Sequence, residues 1–182
     1  ALALAVLGER AGLPKGILSV VTSSRSSDIG KEFCENPLVR KLTFTGSTEV
    51  GRLIRQTTAG TGKSLTLELG GKSPFIVFDD ADIDGAVEGV VDAIWFNQGQ
   101  VCCAGSRLLL QEGIAEIFRR RLIRRMSTLR VGMPLDKTID MGAVVAPVQL
   151  ERIKSMVETG VKEGAEKYQT DRKSTRLNSS HG

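Results

Sequence analysis

Short apolar runs of strand length alternate along this chain with segments of helical period, and that alternation most limits what it can fold into. Residues 17–21, 39–44, 65–69, 75–78 and 108–110 read as strands. Residues 1–11 read as the end of a helix, closed by Gly12 with Pro14 beyond. A short helix is expected over 28–34. Another opens at Ser47, with Val50, Leu53 and Ile54 on its buried face, and a third opens at Asp82, carrying Ile83, Val87, Val90 and Ile94 at helical spacing. Further helices are expected over about 115–129 and about 147–160. Strands interleaved with helices give an α/β fold with a mostly parallel sheet. Leu65, Leu67 and Leu69 alternate with Ser64, Thr66 and Glu68, which predicts a half-buried strand with the carboxylate on its polar face. The continuous run at 75–78 predicts a strand buried on both faces.

Composition narrows the class. With 182 residues the chain suffices for one domain of ordinary size, and no stretch is long or apolar enough to span a bilayer. The apolar start, residues 1–7, has no basic stretch before it and no small-residue cleavage site after it, so it does not read as a secretory signal. The first residue is not Met and is not expected to be the true start. Cys34, Cys102 and Cys103 are too few for a disulfide framework and fit a reducing, cytoplasmic compartment. With His181 as the single histidine, no metal site is expected. Of the formal net charge of +4, half comes from residues 171–182, where Arg172, Lys173 and Arg176 face Asp171. No nucleic-acid or membrane partner is expected on that balance. Arg119, Arg120, Arg121, Arg124 and Arg125 are interleaved with Phe118, Leu122 and Met126, the pattern of a solvated helix face beside an apolar stripe.

Three segments could carry chemistry. Leu67-Glu68-Leu69-Gly70-Gly71 sets a carboxylate among leucines. If that strand end is buried, desolvation favours the neutral acid and makes Glu68 a better base. Phe96-Asn97-Gln98-Gly99-Gln100-Val101-Cys102-Cys103-Ala104-Gly105-Ser106-Arg107 sets two adjacent thiols in a run of small and polar residues. Backbone N–H groups there could stabilise a thiolate. A carboxylate base and a thiol nucleophile are two parts of covalent catalysis on a carbonyl. Taken singly, however, a cysteine is more often a small buried hydrophobe and a glutamate more often an exposed one. The third segment, Gly46-Ser47-Thr48-Glu49-Val50-Gly51, sits at a strand-to-helix junction, where backbone N–H groups can meet a phosphate. It is not GxGxxG, and a plain capped turn would look the same.

Together these segments resemble the signatures of the aldehyde dehydrogenase superfamily, over about residues 1–168. The resemblance implies that Cys102, one residue beyond Gly99-Gln100, is the nucleophile and Glu68 the general base. It implies that Gly46, Ser47, Thr48, Glu49, Val50, Gly51 and Leu69 contact NAD or NADP. Cys103 falls where members vary and is expected to be structural, as is Cys34. Asn97, Gly99, Gly105 and Arg107 are expected to be backbone and packing supports. The implied reaction converts a small aldehyde to its acid. Cys102 forms a thiohemiacetal whose oxyanion meets the Cys102 N–H and an Asn side chain, hydride leaves to the nicotinamide, and water activated by Glu68 hydrolyses the thioester. Two other readings are a member that acylates coenzyme A, against which Glu68 weighs, and a non-catalytic scaffold, which needs neither Glu68 nor Cys102.

The implied architecture is part of a Rossmann-like cofactor-binding domain, residues 1–68, joined to the start of the α/β catalytic domain, residues 69–170. The chain is much shorter than a complete member. It begins after the family's oxyanion Asn and its Lys-Pro-(Ser/Ala)-Glu segment, and ends before Glu-Xaa-Phe-Gly-Pro. It is therefore expected to be a central fragment, inactive alone, of a protein that forms homo-oligomers at full length. Thr22-Ser23 stands where Thr-Gly is usual. Residues 171–182 are expected to be a non-native tail, since 171–181 have no counterpart in the family and read like a translated sequencing adapter.

Overall fold

A computed structural model of the chain describes residues 1–168, and these divide after Gly70 into two units. The expected non-native tail lies outside the described residues.

The first unit, Ala1–Gly70, is built on two parallel strands. Strands β1 (Lys41–Gly46) and β2 (Ser64–Leu69) pair in register from Lys41 with Ser64 to Gly46 with Leu69. Helices α1 (Leu2–Arg10), α2 (Ser26–Glu35) and α3 (Thr48–Thr57) complete it. Strand β1 begins two residues later than expected because Val39 is otherwise engaged. Lys63 Nζ donates to the carbonyls of Asn36 and Val39 at 2.5 and 2.9 Å, placing a cation at the negative end of α2. The leucines of β2 alternate as the sequence predicts, with Leu65, Leu67 and Leu69 half-buried and Ser64, Thr66 and Glu68 exposed. Leu65 and Leu67 join Phe44 around a core of Cys34, Leu42 and Ile54.

Two expectations fail in this unit. Residues 17–21 form no strand: no neighbouring strand takes up their backbone groups, and Ile17 stays 69% exposed. Val50 and Leu53 also stay exposed, so the buried face of α3 narrows to Gly51 and Ile54.

In the second unit, strands β3 (Pro74–Val77) and β4 (Arg107–Leu110) pair in parallel, Pro74 with Arg107 through Val77 with Leu110. Helices α4 (Ile83–Trp95) and α5 (Glu112–Met126) form its core with the two strands, and α6 (Pro147–Lys162) follows. Val77, Val87, Val90, Ile114 and the fully buried Phe118 make up the core. Strand β3 was expected to be buried on both faces. Instead Val77 is buried while Ile76 is 55% exposed, because the core built by α4 and α5 lies on one side of this short sheet.

Helix boundaries follow local hydrogen bonding. Asp82 caps α4 as expected, its carboxylate accepting from Asp84 N. Helix α5 starts three residues before its expected position. The Gln111 side chain clasps Asp79 in two hydrogen bonds of 3.0 and 2.7 Å, so the helix starts directly at the strand end. It stops at Met126, where the Ser127 and Thr128 hydroxyls take the Arg124 and Arg125 carbonyls. Helix α6 runs through Gly160 and ends where Gly164 turns left-handed at φ +98°. Arg119 and Arg120 are solvated as expected. Arg121 instead pairs with Asp84, and Arg125 with Glu88 at 2.7 Å, tying α5 to α4. Among the described residues no helix is long and apolar enough to cross a membrane, and no cluster of His, Cys, Asp and Glu could hold a metal ion.

Candidate active site

In the first unit the candidate cofactor segment joins the end of β1 to the start of α3. Ser47 has extended backbone and its Oγ accepts the Val50 N–H at 3.3 Å, so it is the N-cap that the sequence predicts. The helix directs its positive pole and first-turn N–H groups toward the end of the sheet, with Glu49 in the first turn. Gly51 is buried where α3 crosses β2: a Cβ there would stand 2.5 Å from Leu69 Cδ2. The parallel register puts Leu69 beside Gly46 and Glu68 beside Thr45. Gly46, Ser47, Thr48, Glu49, Val50, Gly51, Glu68 and Leu69 are thus brought to one end of one sheet. A helix start with Ser47 and Thr48 hydroxyls beside exposed backbone is a donor set that fits a phosphate. Glu68 is exposed, on the polar face that the sequence predicts for it, and the strand end is not buried. The alternation of β2 turns its leucines inward and Glu68 outward.

In the second unit the candidate nucleophile follows a strained turn. After α4, Asn97, Gln98 and Gly99 adopt φ of 46°, 56° and 74° in succession. Two consecutive non-glycine residues in the left-handed region persist only where their surroundings hold them. Asn97 Nδ2 donates to the Gln100 carbonyl, and Gln100 N donates to the Asn97 carbonyl at 3.0 Å. Gln100 Oε1 accepts the Val145 N–H at 3.1 Å. With its amide oriented to satisfy both ends, Gln98 accepts from Gly142 N at 3.0 Å and donates to the Asn97 carbonyl. Two glutamines therefore fasten the segment before α6 to the segment before the cysteines. Sequence reasoning missed this role, since the partners lie about forty residues downstream and carry no side-chain signature.

Cys102 and Cys103 then occupy a turn closed by Ala104 N donating to the Val101 carbonyl at 3.1 Å. Its exit is anchored tightly. Ala104 is buried, Gly105 N donates to Ala93 O, and Arg107 reaches back through its N–H to Ser73 O and through Nε to Lys72 O at 2.7 Å. On the turn's other side the Gly71 backbone lies against the Cys102 carbonyl, 3.1 Å from where a Cβ would stand. Cys102 and Cys103 are both exposed. Cys103, expected to be structural, is thus not part of the buried core. Cys34 is the buried thiol of the first unit, and burial pushes it up from the ordinary range, with Glu35 adding to this and Lys63 opposing. A groove between α4 and α5 is lined by the Asp84–Arg121 and Glu88–Arg125 pairs and contains none of the candidate residues.

The aldehyde dehydrogenase family profile matches residues 1–180. The chain is 44% identical over 165 residues to a glutarate-semialdehyde dehydrogenase of Pseudomonas aeruginosa, covering 91% of this chain and 34% of that protein. It is 43% identical to a succinate-semialdehyde dehydrogenase [NADP(+)] of Escherichia coli, with the same coverage. Among solved structures it is similar to an NAD-dependent aldehyde dehydrogenase from Sinorhizobium meliloti, with a TM-score of 0.86 and 40% identity, covering 91% of this chain and 33% of that one. The chain spans about a third of the length of the curated relatives it matches.

Proposed function

The chain belongs to the aldehyde dehydrogenase family, and from that premise we propose that it is the central part of an enzyme that oxidises an aldehyde to its carboxylic acid with NAD or NADP. The reading assigns the first unit to the end of a cofactor-binding domain and the second to the start of a thiol-bearing catalytic domain. One observation carries it: an exposed thiol, Cys102, stands on a turn whose two flanks are fixed by the hydrogen bond that Gln100 accepts from Val145 and the one that Arg107 donates to Lys72. A nucleophile has to be open to substrate and yet held in place, and this turn meets both needs.

In the proposed reaction the Cys102 sulfur attacks the aldehyde carbon and forms a thiohemiacetal. The Cys102 backbone N–H supplies one donor for the oxyanion. NAD or NADP, when bound, supplies the acceptor for the hydride that leaves this carbon. The α3 N-terminus with Ser47 and Thr48 would hold the pyrophosphate, and Leu69 and Gly51 would set how closely β2 and α3 approach it. Loss of hydride leaves a thioester on Cys102. Glu68 takes a proton from water as that water attacks the thioester, releasing the acid and restoring the thiol. Its exposure leaves the carboxylate open to water. The relatives named above support both cofactors, one being NADP-linked and one NAD-dependent.

The test is covalent labelling of the native enzyme with an aldehyde-mimicking electrophile, mapped by tryptic digestion and paired with the rate of cofactor reduction. Label and turnover are expected to vanish in Cys102→Ser and persist in Cys103→Ser. Equal labelling in the two variants, or turnover by Cys102→Ser, would overturn the assignment.

A further inference from the structure

The proposed reaction asks two things of Cys102 at once. Its sulfur has to reach the carbonyl carbon while its own N–H reaches the developing oxyanion, so the residue must be aimed as well as open. The turn from Val101 to Ala104 is closed by a single backbone hydrogen bond and takes its aim from the segments on either side. Beyond it, Gly105 is tied to α4, and Arg107 to the residues that lead into β3. Before it stands Gln100, which follows the left-handed run Asn97-Gln98-Gly99.

Strained backbone of this kind persists only where its surroundings over-determine it. Two of the hydrogen bonds that do so are local. Asn97 Nδ2 donates to the Gln100 carbonyl at 3.3 Å, and Gln100 N donates to the Asn97 carbonyl at 3.0 Å. They set the shape of the segment and not its place. Gly99 lays one side of it on the end of α4, where a Cβ would stand 3.0 Å from the Ile94 carbonyl. The two glutamines hold the other side. Gln100 Oε1 accepts the Val145 N–H at 3.1 Å across 45 positions of chain, and Gln98 takes the Gly142 N–H. A tether positions its near end only if its far end is firm. Here Val131 and Met141 form a bridge immediately before Gly142, and Arg130 pairs with Asp140 at 3.2 Å. Gly132 lies so close to Ile139 that a Cβ would stand 2.9 Å from its Cδ1. Gln100 therefore joins a stiffened loop to the point where the thiol turn opens.

We propose that Gln100 is a positioning residue for Cys102: by taking the Val145 N–H it holds the entry of the turn so that the Cys102 sulfur and the Cys102 N–H reach one carbonyl group together. The proposal rests on the reading of Cys102 as the nucleophile. In this role Gln100 touches no substrate and moves no proton. Its loss leaves the thiol as reactive as before but wrongly directed, and a misplacement of about 1 Å can cost about 100-fold in rate. The consequence is selective. Attack on a carbonyl needs sulfur and N–H in concert, because an oxyanion forms. Displacement at a saturated carbon forms no oxyanion and needs the sulfur alone.

The test compares two probes on the native enzyme at a temperature where melting shows every variant folded. p-Nitrophenyl acetate reports attack on a carbonyl, through acylation of the thiol and release of nitrophenolate. Iodoacetamide reports displacement at a saturated carbon. For each probe the Cys102 rate is the part that Cys102→Ser removes. Gln100→Met keeps the length of the side chain and removes the acceptor, whereas Gln100→Glu keeps an oxygen that accepts the Val145 N–H. Gln100→Met is expected to acylate about 10–100-fold more slowly, with alkylation little changed, and Gln100→Glu is expected to recover most of the acylation rate. Acylation at the parent rate in Gln100→Met would overturn the proposal. So would a parallel fall of acylation and alkylation, or a Gln100→Glu variant no faster than Gln100→Met. Cys102→Ser separates the two readings. Acylation that survives it would defeat the nucleophile assignment and this proposal with it. Acylation that it abolishes but Gln100→Met preserves would defeat this proposal alone.

Discussion

Gly51→Val tests the close approach of α3 to β2 at the candidate cofactor segment. A Cβ at Gly51 would stand 2.5, 2.7 and 3.2 Å from Leu69 Cδ2, Cδ1 and Cγ. All three atoms belong to one side chain, so either Leu69 swings away or α3 lifts off the strand. Forced repacking of this kind costs about 1–3 kcal/mol. Valine recovers only about 0.3–0.5 kcal/mol over glycine in helix propensity. The net loss is then about 0.5–2.7 kcal/mol, or about 2–100-fold in the local opening equilibrium. Amide hydrogen exchange in α3 and β2 reads this directly and does not require the whole protein to unfold in one step. Leu69→Ala removes the offending atoms, so the double variant is expected to exchange no faster than Leu69→Ala alone. Exchange at the parent rate in Gly51→Val, or simple addition of the two single effects, would refute the packing argument.

Gln100→Ala deletes the acceptor of the Val145 N–H, a bond worth about 0.5–1.5 kcal/mol net. The Val145 amide is expected to exchange several-fold faster while Gly142, held by Gln98, is little changed; an unaltered Val145 would remove Gln100 from its assigned role. Acid stability carries a second prediction. The Arg130 side-chain and backbone hydrogen bonds hold the Asp140 carboxylate below the usual range. The folded value lies below the unfolded one, so this contribution is present above about pH 3.9 and disappears as pH falls through the folded value. Asp140→Asn should flatten that acid limb in exchange measured around the Val131–Met141 bridge, and a limb of unchanged slope would count against it. Alkaline pH acts with the opposite sign on Cys34, whose thiol burial pushes up. Its contribution is complete below about pH 8.5 and is lost as pH rises through the folded value. Cys34→Ala should remove that part of the alkaline dependence, read by thermal melting.

The sequence was most informative where one residue type answers one local need. Ser47 and Asp82 cap helices because a short oxygen-bearing side chain is what a helix start lacks, and both do so here. The β2 leucines alternate because one face is covered. Strand formation at 17–21 depends on a partner strand, and apolar composition alone cannot supply one. Glu68 stands on the polar face of β2 as its alternation with the leucines predicts, whereas whether the strand end is covered depends on packing that the alternation does not encode. The Gln98 and Gln100 contacts were illegible for a further reason: their partners are backbone N–H groups of Gly142 and Val145, which every such residue carries. The exposure of Cys103 likewise depends on turn geometry that residue type does not encode.

The Arg107 bonds to Lys72 and Ser73 span 35 and 34 positions of chain, with β3, α4 and the left-handed turn threaded between them. Closing that loop costs chain entropy before any of its contacts form. The turn therefore has its C-terminal anchor only once the chain has been made as far as Arg107. On the ribosome, a nascent chain that has made α4 but not yet returned along β4 carries two ordinary cysteines on an unfixed segment. The fixed turn is a product of topology: a polypeptide that stalls short of Arg107 holds the two cysteines without the anchor that fixes their turn.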